Sequence, residues 1–67
     1  MTFKQAIRDF ISIGTKFSDY YEMQFSWECY KDSLNRDGQI TDRQRDHWGN
    51  PCTPEGFSKW NQRHFGI

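Results

Sequence analysis

Cys29, His47, Cys52 and His64 together make a Cys₂His₂ donor set. Such a set can hold zinc, and a structural zinc helps a small chain fold. The spacing argues against it. Sites of this kind bring their ligands as close C-x₂₋₄-C and H-x₃₋₅-H pairs, and neither the two cysteines nor the two histidines are that close. His47 and Cys52, across a turn, are the one suggestive pair. The four residues read as a buried cysteine, a loop cysteine and two surface histidines, with no metal expected. A cysteine could also meet a histidine in the fold as nucleophile and base. Yet no nucleophile sits in a recognisable turn motif, and no glycine-rich phosphate loop is present. A chain of 67 residues that opened a substrate cleft of roughly several hundred Å³ would leave little for a core. Neither catalysis nor a cofactor is expected.

The stretch from Ser33 to Gln44 resembles the EF-hand calcium loop. Asn35 and Asp37 stand at the third and fifth positions, Gly38 at the turn glycine and Ile40 at the hydrophobic eighth. The resemblance implies a loop held between two helices. It departs from that family at both ends, where Ser33 replaces the first aspartate and Gln44 the bidentate glutamate. Without those carboxylates the stretch reads as a polar turn.

The elements that must position these residues centre on 3–34. Apolar side chains fall at Phe3, Ile7, Phe10, Ile13, Phe17, Tyr20, Met23, Trp27, Tyr30 and Leu34, always three or four apart. That spacing is one face of an α-helix. A strand competes over 21–29, where Tyr21, Met23, Phe25, Trp27 and Cys29 alternate with polar residues. No partner strand follows, because 35–47 offers only Ile40, and a lone strand leaves its backbone groups unpaired. Helix is the reading.

The helix boundaries follow from caps. Thr2 with Gln5 is a capping box that starts a helix at Phe3. Gly14 and Thr15 interrupt the stripe, so 3–13 and 16–34 are either one bent helix or two end to end. Asn35 to Gly38 is a turn signature. Thr41 with Gln44 caps a short helix over 42–48, stopped by Gly49-Asn50-Pro51. Thr53 followed by Pro54 starts a last helix over 54–65, and Gly66 supplies a left-handed cap with Ile67 folding back. The fold class expected is all-α, a single domain built as a small bundle of three to four helices.

Composition narrows the function. Aliphatic residues are few: five Ile, one Leu, one Ala and no Val. Six Phe, three Tyr and three Trp carry the hydrophobic load. At about 150–250 Å² each, that is more aromatic surface than a small helical core needs, so some should be exposed. Nine basic and nine acidic residues cancel, which gives neither the basic stripe of a nucleic-acid binder nor the acidity of a duplex mimic. No apolar run reaches the roughly 20 residues that span a bilayer. Charged residues at Lys4, Arg8 and Asp9 interrupt any secretory apolar segment. A cytoplasmic protein with reduced thiols is expected.

Two surfaces compete as the functional face. Tyr21, Phe25 and Cys29 form a second stripe on the long helix, which either packs on the C-terminal helix or meets another molecule. Lys59, Trp60, Arg63, His64 and Phe65 on the last helix, extended by Arg43 and Arg45, could instead stack bases and touch phosphates. Aromatic and arginine anchors dominate protein interfaces, and the charge balance favours that use. The expectation is a non-catalytic protein that docks Tyr21, Phe25, Trp48, Lys59, Trp60 and Arg63 on a larger protein, as inhibitor or modulator. A homodimer through the same face is the simplest variant, and nucleic-acid binding by the last two helices is the competing class. Phage inhibitors of host defence, anti-CRISPR proteins among them, are small domains of this kind, an analogy of size alone.

Overall fold

A computed structural model describes residues 1–66 and contains four helices: α1 (Phe3–Ile13), α2 (Tyr20–Arg36), α3 (Asp42–His47) and α4 (Phe57–Phe65). No strand occurs among the described residues, and 21–29 lies wholly within α2. The expected capping boxes form at α1 and α3: Thr2 and Thr41 accept from the backbone N–H of Gln5 and Gln44, whose side chains return the bond.

The stripe over 3–34 is not one helix. Gly14 is extended (φ −89°, ψ 173°), and a Cβ there would lie 2.9 Å from the Phe10 carbonyl oxygen. The chain leaves the helix at that point, and 14–19 is a true connection. Asp19 restarts it, its side chain accepting from the Glu22 N–H at 2.8 Å. Asp19 followed three residues later by Glu22 is the pattern that marks this start in the sequence. Hence α2 begins at Tyr20, not residue 16, and Phe17 reaches the core from a loop.

The last helix also starts late. Thr53 closes a turn through Gly56, its hydroxyl accepting the Gly56 N–H at 3.0 Å. Helix follows only from Phe57, because glycine at 56 is a poor helix former. Gly66 is extended (φ −76°, ψ 152°), not left-handed, and the expected return of Ile67 lies outside the described residues. In contrast, Gly38 does take the left-handed conformation, at φ 76°. It closes the turn after α2, where the Gln39 N–H donates to the Leu34 carbonyl at 2.9 Å.

Ala6, Phe10, Phe17, Met23, Trp27, Leu34 and Ile40 form the buried core. Trp27 is its centre: Phe3 and Phe10 meet its ring edge-on at 6.2 and 5.1 Å, and its indole N–H donates to the Gly49 carbonyl at 2.8 Å. Edge-to-face contacts at such distances suit the ring quadrupoles. α4 is fixed by a polar bond and an aromatic cluster. Buried Asn61 donates Nδ2–H to the Phe17 carbonyl at 2.9 Å and accepts the Phe17 N–H on Oδ1 at 3.2 Å. Around it, Phe65 and Trp60 pack on the Phe17 ring. Since α4 packs on the connection after α1, it leaves the outer side of α2 uncovered.

Candidate functional site

α2 presents opposite chemistry on its two sides. Met23, Trp27, Lys31 and Leu34 face inward and are buried. On the far side of the helix, nearly half a turn away, Tyr21 and Phe25 are 76% and 71% exposed, and Cys29 continues the stripe into solvent. Steps of four residues on a helix place these three side chains one above another. Tyr21 leans edge-on against Tyr20 at 5.9 Å. No ring contact holds Phe25 among the described residues.

Beside this stripe runs an open groove of about 480 Å³ between the C-terminal end of α1, the 14–17 connection and α2. Phe10, Phe17 and Tyr30 form its apolar walls, and Ser26, Cys29 and Ser33 its α2 bank. Cys29 therefore belongs to both stripe and groove. At the rim, Ile13 is 66% exposed. It belongs to the core periodicity in the sequence, but the chain turns away at Gly14 before anything covers it. The phenol of Tyr30 donates to an Asp9 carboxylate oxygen. Burial first, then that bond and the carboxylate's charge, push its pKa far above the usual tyrosine range.

The other expected site residues lie elsewhere. Trp48 is half-buried, its ring 5.6 Å from Phe3. Trp60 is half-buried between Phe17, Phe57 and Phe65. Lys59 and Arg63 are exposed on α4. Arg45 does not extend a basic patch: its guanidinium donates to Asn35 Oδ1 at 2.8 Å and to Asp46 at 3.2 Å. The expected group thus divides into the α2 stripe, the α4 pair around Trp60, and a half-buried Trp48 packed on Phe3.

The candidate metal donors are also placed. Asn35 donates its amide N–H to Ile40 and Asp42 and accepts from Arg45 on its oxygen, so protein groups occupy the side chain that would be a calcium ligand. His47 and His64 are exposed and Cys52 is half-buried, where burial pushes its thiol pKa up. No three His, Cys, Asp or Glu side chains among the described residues are grouped to hold an ion. None of the described helices is long and apolar enough to cross a membrane.

One residue gave no signal in the sequence. Lys31 is buried, and its ammonium donates to the Arg45 and Trp48 carbonyls at 3.2 and 3.1 Å, with Glu28 at 3.1 Å. A cation at the last carbonyls of a helix satisfies orphan acceptors and complements the dipole. Lys31 thereby caps α3 from α2. Compared with known proteins, the chain matches no family model, no curated sequence and no solved structure.

Proposed function

We propose that this is a non-catalytic cytoplasmic protein that docks the Tyr21–Phe25–Cys29 face of α2 on a larger protein and acts as its inhibitor or modulator. One observation carries the reading: two large aromatic side chains, one helical turn apart, are more than 70% exposed beside an apolar groove. Rings left in water on an otherwise well-packed chain are the usual anchors of a protein interface. The non-catalytic part draws on the groove's lining, where Cys29 stands without either histidine. Placement in a phage anti-defence class rests on size alone.

Nucleic-acid binding by α4 is the competing reading. It draws on exposed Lys59 and Arg63 flanking Trp60. Against it stand the zero net charge and a Trp60 ring already packed against Phe17 and Phe65. Salt separates the two, since phosphate contacts weaken steeply as salt rises. A partner captured from host lysate should stay bound at high salt. Tyr21→Ala with Phe25→Ala should release it, and Lys59→Ala with Arg63→Ala, both exposed on α4, should not. The opposite pattern, with oligonucleotide binding lost on adding salt, would transfer the function to α4.

A further inference from the structure

Glu22, Cys29 and Arg36 are exposed and stand seven residues apart on α2. Seven residues is close to two helical turns, so the three lie along one line of the helix, with Phe25 and Ser33 flanking it. The ends of the line have opposite charge, and its centre is neutral.

We infer that a second copy of the chain covers this face, with the two α2 helices antiparallel about a two-fold axis at Cys29. In that arrangement Glu22 faces the partner's Arg36 at both ends, and Cys29 faces its own copy. Phe25 meets the partner's Ser33, which lines the groove. Each copy then supplies a ring and receives one, as an isologous interface requires. The opening, about 480 Å³, is larger than a phenyl ring. Electrostatics favours this axis over three alternatives. An axis at Phe25 sets Glu22 against Glu28, one at Trp27 sets it against Asp32, and a parallel pairing stacks like on like. Like charges facing one another disfavour all three.

The charged groups have capacity left for the contact. Arg36 gives Nη2–H to its own Asp32 at 2.7 Å and keeps further N–H donors. Glu22 accepts the Ser18 hydroxyl on Oε2, which leaves Oε1. The inference rests on the reading of this face as a docking surface: the dimer holds it covered until a larger partner competes for it by mass action.

Sedimentation equilibrium of the purified chain, from roughly micromolar to millimolar as suits a small interface, tests this. The mass should rise from 8.1 kDa toward twice that value. Glu22→Arg should weaken the dimer about tenfold, because two ion pairs become two repulsions, and adding Arg36→Glu should restore it. Circular dichroism checks that the variants keep their helix. A second readout leaves Glu22 and Arg36 untouched: a short bismaleimide should join two copies of the Cys52→Ser chain through Cys29. A monomer at every concentration, a dimer indifferent to Glu22→Arg, or cross-linking that requires Cys52 would each overturn the inference. A monomer that still captures a larger protein sinks the dimer alone, whereas a dimer that captures nothing sinks the docking reading alone.

Discussion

The inner and outer sides of α2 carry the same kind of residue to opposite ends. Trp27 is fully buried among Phe3, Phe10 and Tyr30, with its N–H paired. Phe25, two positions earlier, is 71% exposed. Neither helix propensity nor hydrophobicity separates a Trp from a Phe in this setting. What separates them is whether a neighbouring element arrives to cover the side chain. α1 and the 48–52 segment reach the inner side, while α4 is drawn away by Asn61 and Phe17. An aromatic that folding leaves in water remains available for association.

The largest expected effect breaks this contrast directly. Trp27→Ala should destabilise the chain by about 3–5 kcal/mol, comparable with the whole stability of so small a domain. Phe25→Ala should change it by less than about 0.5 kcal/mol at dilutions that keep the chain monomeric, as surface substitutions do. Urea unfolding followed by helix content measures both. If Phe25→Ala were as damaging as Trp27→Ala, the outer stripe would be core and the docking proposal would lose its footing.

The inner side was legible in the sequence and the outer side partly so. Steps of three and four residues located Phe10, Met23 and Trp27, because one helix face is a local property. The caps at Thr2 and Thr41 were legible for the same reason. Tyr21 and Phe25 stood out as a surplus stripe, but whether α4 would cover them depended on a long-range bond between Asn61 and the Phe17 backbone. An asparagine within a helix leaves no periodic trace of such a bond. The break at 14–19 was written in Asp19 and Glu22, yet the apolar rhythm continues through Phe17 and hides it. Lys31 was hidden by its charge, since burying a lysine is costly unless its partners are in place, and those partners come from another helix.

Lys31 sharpens the comparison from the polar side. Lys31→Met keeps the apolar stem but removes the donors to the Arg45 and Trp48 carbonyls. The expected loss is about 1–3 kcal/mol, the penalty for leaving such acceptors unpaired. Amide exchange should accelerate most in α3, which has no buried residue of its own. An unchanged unfolding midpoint with unchanged exchange would mean that α3 is held by its capping box alone.

The smallest effect concerns Tyr30, at the boundary between the two sides. Its folded pKa lies far above the ordinary value, which is about 10 in an unfolded chain. Above that pH the unfolded state releases the phenolic proton while the folded state keeps it. The unfolded state then binds fewer protons, so stability falls as pH rises. Tyr30's contribution is fully present below about pH 10 and is lost progressively above it, toward the raised folded pKa. Lysines and the other tyrosines also titrate there, so the test is a difference. Tyr30→Phe gives up the bond to Asp9 and should be modestly less stable near neutrality, by about 1 kcal/mol. Its urea midpoint should then decline less steeply than wild type from about pH 9 to 11, the range around the unfolded tyrosine pKa. Parallel slopes would mean that Tyr30 ionises as freely in the fold as in water, and that this edge of the groove is wetter than its packing against Phe10 and Trp27 implies.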